Sequence, residues 1–483
     1  MGAVNRRSRK SIVALVALAC ASFSAVSRAE SETGAKPSVT VGEFRFTPKL
    51  EIRVRGEYRR DPPDMGGVSV RGVPSPRVRD ALALHERARL GVSVERPYLR
   101  ADITLQDARV FGASQPFATL KPDGGFASFG AYEAFLEVHD EDPRPNLLRV
   151  GRQTVRWGDG LLLGRADASP TGRSLDAVRA RWAKGPFEAE ALAVVVDASR
   201  PLGLAFDDAS GPSRLGTQLY GLRAGVTFGP LLGIEAYGFA RVARSAGSAP
   251  DGTRFAAARA AGETYTASLR VAGDDRGLSY AAQGAVQFGR ASAFGLSGVD
   301  RFAYAAEAHV AKTFDTLVLR PTFLVGGALA SGDDGGTTYT QFDPLLPDVG
   351  DTFGATSLVA WSNVRVLRAR VTTHPHDDVT AGVTWQMATF AEPGAEWLNG
   401  YLLGVGGFAG QPSRALGHEI DARVVWAPWP AFDVAATYSL FALGDGAKNV
   451  VAERGRGDLR PNGTVAVSPV AHFGELRATL RIP

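Results

Sequence analysis

The chain has 483 residues, of which 45% are hydrophobic and 22% are charged, and its formal net charge is +4. Residues 1–29 hold five basic side chains and no acidic one, so the rest of the chain is near −1 and its charge gives no argument for nucleic-acid binding. Cys20 is the only cysteine, which excludes a disulfide-based fold.

The N-terminus is typical of a secretory signal peptide. Four basic residues at positions 6–10 precede an apolar run from Ile12 to about Val26, and Ser27-Arg28-Ala29 offers small residues for cleavage before Glu30. The apolar run is too short and wrongly flanked for a transmembrane helix. We therefore predict cleavage near Ala29, a periplasmic N-terminal segment over 30–43, and a single domain over 44–483.

The domain opens with a strict alternation. Leu50, Ile52, Val54 and Tyr58 fall on one face of a strand, and the residues between them are Glu51, Arg53, Arg55, Glu57 and Arg59. A face this densely charged cannot pack comfortably inside a soluble sandwich. A closed barrel in lipid, apolar outside and wet inside, accommodates both faces.

The same pattern recurs to the C-terminus and predicts an all-β fold of about 18 antiparallel strands, although 16 remains open. The strands are expected at 44–58, 82–95, 98–110, 130–139, 147–156, 174–184, 187–197, 217–228, 232–243, 263–273, 277–289, 301–312, 316–328, 357–371, 378–390, 417–427, 432–442 and 465–482. The last strand lacks the terminal aromatic usual in such barrels, since the chain ends at Pro483.

Short connections rich in proline or aspartate alternate with long loops, which is the asymmetry of periplasmic turns and extracellular loops in an outer-membrane barrel. One short connection, His374-Pro375-His376, has a metal-like composition but is better explained as a solvated turn. In a predicted external loop, Asp333 and Asp334 could hold Ca²⁺ with Asp343 or Asp348. The EF-hand spacing is missing, so a flexible acidic loop is favoured and no cofactor is expected.

The basic residues are almost all arginine: only seven of the 54 are lysine. Arginine binds carboxylates through two parallel hydrogen bonds, which suits a lumen that passes anions, but a GC-rich genome would have the same effect. Alternation places a set of polar residues on inner faces: Arg53, Arg55, Arg100, Asp102, Asn363, Arg365, Asp421 and Arg423. These charges either select anions or only pair with one another across strands.

Three ordered motifs carry a family resemblance. The first is Gly151-Arg152-Gln153, followed by Trp157-Gly158-Asp159-Gly160 and by Gly172-Arg173-Ser174-Leu175-Asp176-Ala177-Val178-Arg179. The second runs from Ser331-Gly332-Asp333 through Phe342-Asp343-Pro344 to Asn363, and the third from Leu416-Gly417-His418-Glu419-Ile420-Asp421 to Tyr438-Ser439-Leu440-Phe441. In this order they resemble the alginate-export family of outer-membrane porins.

The resemblance implies an 18-stranded barrel with a charged, arginine-lined lumen partly closed by loops. It favours Arg152, Asp176 and Arg179 as lumen-facing and adds Asp159 and Arg173 to the substrate path. The expected function is passive export of an anionic, alginate-like exopolysaccharide across the outer membrane of a Gram-negative bacterium, fed by periplasmic proteins. A porin for uptake of small anionic solutes and a non-conducting barrel remain alternatives. The expected partners are outer-membrane lipid and the barrel assembly machinery; catalysis has little support in the sequence.

Overall fold

A computed structural model describes residues 37–65, 79–112, 126–141, 145–196, 217–244, 255, 258–259, 261–293, 296–349, 351–456, 458–459 and 465–482. The signal peptide predicted over 1–29 and its cleavage site lie outside these residues. No helix in the described part of the chain is both long and apolar enough to cross a membrane.

Strands dominate the described residues. In chain order they are β1 (Val39–Val41), β2 (Phe44–Arg60), β3 (Asp80–Arg96), β4 (Leu99–Gly112), β5 (Phe126–His139), β6 (Leu147–Gln153), β7 (Leu175–Lys184), β8 (Phe187–Val196), β9 (Thr217–Phe228), β10 (Leu232–Arg244), β11 (Ala261–Asp275) and β12 (Leu278–Ala293). They continue with β13 (Leu296–Thr313), β14 (Thr322–Ala330), β15 (Val364–His376), β16 (Val379–Phe390), β17 (Trp397–Leu398), β18 (Gly404–Gly406), β19 (Ala415–Trp429), β20 (Phe432–Leu443), β21 (Asp458–Leu459), β22 (Val465–Ala466) and β23 (Val470–Ile482). An α-helix, α1 (Asp445–Glu453), and a 3₁₀ turn, Asp351–Phe353, lie in long loops.

The barrel is closed and has 18 antiparallel strands, which confirms the predicted fold class. It comprises β2–β16, β19, β20 and β23, each paired with its neighbour in the chain, and the pairing of β2 with β23 closes the ring. Leu50 lies opposite Ile482 at this seam. The short β1 pairs with the first residues of β2, which extend beyond the end of β23. The two pairs β17–β18 and β21–β22 stand outside the barrel sheet.

The connections fall into two classes, and we call the two rims the turn side and the loop side. Turn-side connections are short, such as Gly185-Pro186 between β7 and β8, and both ends of the barrel sequence lie on this side. Loop-side connections reach 33 residues over 331–363. The loop-side connection between β12 and β13 is much shorter than expected, because β12 continues to Ala293 and β13 already begins at Leu296.

The side chains alternate as the sequence predicts. In β2, Ile52 and Val54 are exposed on the outer face whereas Arg53 and Arg55 are buried inside the barrel. Outward aromatics such as Trp429 are exposed near strand ends, where an aromatic girdle forms in membrane barrels. The wall is therefore apolar outside and ionic inside.

Some strand ends differ from the prediction, and on the loop side the chain turns into the barrel where a strand was expected. The strand predicted over 147–156 ends at Gln153, and the strand predicted from 357 begins only at Val364. Asn363, with a positive φ of 50°, turns the chain into β15. His374-Pro375-His376, predicted as a turn, instead forms the end of β15, and the turn is Asp377-Asp378. The last strand begins at Val470 and not at 465.

Candidate functional site

Four loop-side connections fold into the barrel rather than away from it, over the described residues of 154–174, 331–363, 391–414 and 444–469. Their apolar side chains form one buried cluster with the inner faces of the strands. Leu163 and Leu345 have no exposed surface, and Trp361 is 2% exposed. The loop half of the lumen therefore contains a packed core, which a polar pore alone would not need.

The 154–174 loop is anchored by Trp157. Its indole Nε1 donates a 2.5 Å hydrogen bond to Glu190 of β8, and its ring lies 5.1 Å from the ring of Phe239 in β10. Gly221 of β9 makes room for it, because a Cβ atom there would lie 2.8 Å from the Trp157 ring. An aromatic side chain thus fixes the loop to three neighbouring strands.

The 154–174 and 331–363 loops are joined to each other across the lumen. The Nη1 atom of Arg173 donates to the carbonyl oxygens of Gly164, Leu346 and Pro347 at 3.1, 2.6 and 2.7 Å. Asp348 accepts hydrogen bonds from Nε of Arg156 and from a backbone N–H of the first loop, both at 2.9 Å. Burial lowers the pKa of Arg173 to about 10, against the attraction of Asp348. The two loops form one hydrogen-bonded body.

The tip of the first loop places a carboxylate in a cluster of three wall arginines. Oδ1 of Asp167 lies 2.9 Å from Nη2 of Arg87 and 3.3 Å from Nη1 of Arg89, and its Oδ2 lies 3.8 Å from Nη1 of Arg53. Glu51 also contacts Arg87, at 2.5 Å. The Asp167 side chain is 51% exposed, so the cluster is open to solvent on one side.

The electrostatics of this cluster favour a bound carboxylate. Burial alone would raise the pKa of Asp167, but the guanidinium groups of Arg87, Arg53 and Arg89 outweigh it and lower the pKa to about 2. Arg89 is held from its other side by Tyr132, the ring of which lies 3.5 Å from the guanidinium carbon. A register shift in β5 brings Tyr132 to the inner face.

A second arginine cluster holds the 331–363 loop. Oδ2 of Asp343 lies 3.4 Å from Nε of Arg259 and 3.8 Å from Nη1 of Arg241, and Arg301 adds a third positive charge. Burial would raise the pKa of Asp343, but these guanidinium groups lower it below its usual value. Asp343, a calcium candidate in the sequence, is therefore surrounded by cations.

Two other calcium candidates do not join it. Asp333 accepts a hydrogen bond from the backbone N–H of Thr340 at 3.3 Å, and Asp334 accepts one from the backbone N–H of Gly336 at 2.9 Å. Within the described ranges, no group of three or more His, Cys, Asp or Glu side chains could hold a metal ion. The structure does not bring these three aspartates together.

The same loop is fastened to the wall by Glu419 of β19. Its Oε1 accepts a hydrogen bond from the backbone N–H of Thr356 at 2.8 Å, and its Oε2 accepts one from Nε2 of Gln386 at 2.8 Å. Asp421, two residues along, accepts the backbone N–H of Ala355 at 3.4 Å. Sequence reasoning named Asp421 and missed Glu419, which makes the shorter contacts.

The sequence-derived substrate-path residues separate into three groups. Six occupy inward positions of the wall: Arg53, Arg55, Arg100, Arg179, Asp421 and Arg423. Three belong to the inward loops: Asp159, Arg173 and Asn363. Most of these charges are paired; Arg179 contacts Glu190 at 2.7 Å and Asp159 contacts Arg270 at 2.9 Å. The inner wall is thus an ionic network rather than a set of free arginines.

Arg152, Asp176 and Arg365 lie outside the lumen, contrary to the expectation. Arg152 shares its face of β6 with exposed Val150, and Arg365 shares its face of β15 with exposed Leu367. Arg152 and Asp176 lie opposite each other in the ladder, 3.7 Å apart. Side-chain alternation decides this, since Arg179 and Asp176 are three positions apart on β7 and must face opposite ways.

Residues that the sequence analysis missed lie at the centre of the site. Arg87 and Arg89 alternate with outward Glu86, Ala88 and Leu90 on β3, so the same period-two rule would have found them. Asp167 lies in a loop, where no period-two pattern shows which side chains face the lumen. The run Leu161-Leu162-Leu163 does carry a signal, because three consecutive leucines in a predicted external loop indicate burial.

The sequence profile of the alginate export family matches residues 47–456. No curated protein matches the sequence significantly. The fold is similar to that of Acinetobacter baumannii OccAB2, with a TM-score of 0.52, 11% identity, and 90% of this chain and 98% of that chain covered. It is also similar to that of Pseudomonas aeruginosa OccK2 (OpdF), solved in complex with glucuronate. The TM-score is 0.52 and the identity is 9%, with 90% of this chain and 96% of that chain covered. A third similar structure is the outer membrane protein OpdK of Pseudomonas aeruginosa. Its TM-score is 0.52 and its identity is 10%, with 90% of this chain and 98% of that chain covered.

Proposed function

The chain belongs to the alginate export family, and from this premise we propose that it exports an anionic, alginate-like polyuronate passively through its lumen. Family and fold make it an outer-membrane channel. What we propose beyond this is the nature of the polymer, an anionic polyuronate, and the direction of its transport, out of the cell.

The observation that carries this proposal is the position of Asp167. A lumen carboxylate already lies among Arg53, Arg87 and Arg89, half-exposed to solvent. A uronate carboxylate has the same charge and the same pair of acceptor oxygens, and arginine binds such groups in a defined geometry. The polymer would advance by exchanging its carboxylates with loop and wall carboxylates. Each exchange keeps the number of ion pairs constant, so no site traps the chain.

Two further steps belong to the proposal. Residues 1–29 direct secretion and are removed near Ala29, and residues 30–43 remain in the periplasm beside the turn-side rim. Periplasmic proteins would deliver the polymer to this rim, and the barrel assembly machinery would insert the chain.

Single-channel conductance of the refolded protein in a planar bilayer tests the export function. Polymannuronate is added to one side, and a neutral oligosaccharide of the same length is added in a parallel experiment. We expect concentration-dependent block by the polyanion alone, and weaker block in Arg53→Gln. Equal block by both polymers would refute an anionic path, and a silent protein would refute the channel.

Uptake of small anionic solutes is the second candidate. It is favoured by the packed loops, which leave less room for a polymer than an open barrel would, and by the glucuronate complex of the structurally similar OccK2. Under this alternative, free glucuronate would permeate at a rate that polymannuronate does not match. Reversal potentials measured in glucuronate gradients distinguish the two.

A further inference from the structure

A hollow on the inner wall lies on the turn side of the 331–363 loop, and its lining includes none of the arginines of the two clusters. It spans the four neighbouring strands β15, β16, β19 and β20 and has a volume of about 260 Å³. This is slightly below the ~300–1,000 Å³ of most small-molecule sites, so it fits one small ligand.

The strand register explains the hollow. One row across the wall reads Arg370, Thr384 and Asp421, and the next row reads Thr372, Gly382, Arg423 and Thr437. Gly382 has no side chain in the middle of the second row. The depression is therefore bounded by two arginines, hydroxyl groups and one carboxylate.

Arg370 differs in its contacts from Arg368 and Arg223, which also face the lumen. Arg368, two positions before it, contacts Glu307 at 2.5 Å, and Arg223 contacts Glu188 at 2.8 Å. Among the described residues, the guanidinium of Arg370 has no carboxylate within 4.0 Å. Its Nε donates to the hydroxyl of Thr384 at 2.9 Å, and the side chain is exposed to the lumen. A positive charge is thus left for a ligand.

We propose that this hollow is a binding site for a single hexuronate unit, with Arg370 receiving the carboxylate and the threonine hydroxyls and Asp421 contacting the sugar hydroxyls. The proposal rests on the export function and deepens it, because the site would hold the unit that enters from the turn side before it reaches the loops. Hydroxyl groups on a wall offer both donors and acceptors, which suits a sugar better than an inorganic anion.

The test is titration calorimetry of the full-length protein, refolded in detergent, with D-glucuronate, D-glucose and acetate as probes. We expect D-glucuronate to bind more tightly than either of the others. Arg370→Gln should weaken D-glucuronate binding at least tenfold. Arg365→Gln is the matched control, since it removes the same charge from the outer face of the same strand, and it should leave binding unchanged.

A second variant keeps the proposal testable if Arg370→Gln folds poorly. Gly382→Val fills the hollow and leaves the arginine in place; its Cβ would lie 3.2 Å from the carbonyl oxygen of Val371 and 3.3 Å from Oγ1 of Thr372, so the neighbours must move by a few tenths of an ångström. It should also abolish binding. D-glucuronate binding that survives either variant, or acetate binding of equal strength, overturns the assignment.

Binding measured in detergent does not require transport, so the hexuronate site and the export function can be refuted independently. A protein that binds D-glucuronate at this site but shows no conductance would refute export and leave the site intact. A channel blocked by polymannuronate that binds no D-glucuronate would refute the site alone.

Discussion

Oδ1 of Asp167 lies 2.9 Å from Nη2 of Arg87, although one residue is in an inward loop and the other, 80 positions earlier, is in the barrel wall. The contact closes part of the lumen with the same chemistry that a polyuronate would use. Releasing or keeping this contact is therefore the most direct way to change how the channel treats anions.

Asp167→Asn should increase the affinity for polyanions. The variant keeps the side-chain shape but frees Arg53, Arg87 and Arg89 from a competing charge. A half-exposed ion pair contributes ~1 kcal/mol or less, so polymannuronate should block the channel at a concentration up to about fivefold lower. Asp176→Asn is the control, because Asp176 lies on the outer face. Unchanged block in Asp167→Asn would show that the cluster is not on the path.

The Asp167 contact should persist in acid. The pKa of its carboxyl is lowered to about 2, so the stabilisation it gives is complete above the usual aspartate value of ~3.9 and is lost only as the pH falls toward 2. The conductance difference between the wild type and Asp167→Asn should therefore stay constant from pH ~7 to ~5. A difference that vanished within this range would mean that the carboxylate is not held by the arginines.

Gly221→Val should dislodge the 154–174 loop. The new Cβ would lie 2.8 Å from the Trp157 ring, and overpacking of this kind costs about 1–3 kcal/mol. We expect larger and noisier single-channel currents. Gly238→Val is a matched control, since nothing lies within 4 Å of a Cβ at that position. Equal currents in the two variants would show that Trp157 does not close the lumen.

Arg173→Ala should separate the two central loops. It removes the contacts of Nη1 with the carbonyl oxygens of Leu346 and Pro347 in the other loop, and hydrogen bonds from a charged donor are worth ~1 kcal/mol or more each. Limited proteolysis of the refolded protein should then cut within 331–363 faster than in the wild type, while the barrel strands stay protected. Protection equal to that of the wild type would contradict the joint role of the loops.

Arg152→Gln and Arg53→Gln form a pair that separates the outer from the inner face. Arg53 lies in the Asp167 cluster and is 4% exposed, whereas Arg152 lies on the outer face beside Asp176. We expect weaker block by polymannuronate in Arg53→Gln and no change in Arg152→Gln. The reverse result would mean that the lumen is lined by the other face of these strands.

The barrel itself was predictable from the sequence. The alternation of Ile52 and Val54 with Arg53 and Arg55 needs only a period of two, and turn-side dipeptides such as Gly185-Pro186 mark ends of strands. Prediction failed at Arg152 because a short motif was used in place of that count, and at Arg365 because the strand was expected from 357 and β15 begins only after Asn363. Arg152 was placed inside because Gly151-Arg152-Gln153 matched a family pattern, although its alternation with Val150 puts it outside.

The inward loops could not be derived in the same way. Their path depends on contacts between residues far apart in the chain, such as Thr356 with Glu419 or Arg59 with the carbonyl oxygen of Thr356, 297 positions away. No local period encodes such contacts. Only the composition of the loops indicates that they are buried, through the leucines at 161–163 and through Trp157 and Trp361.

The seam between β2 and β23 also governs how the molecule can be made. These strands hold nearly opposite ends of the sequence, yet each supplies the other's ladder partner, from Leu50 with Ile482 to Arg60 with His472. Until the final residues arrive, β2 and β20 both present unpaired backbone edges that can pair with other chains. Ring closure is the contact of highest sequence separation in the wall and is expected to be the slow, late event. A nascent chain halted before Val470 is therefore an open sheet prone to aggregation, and the 13 residues of β23 convert it into a barrel.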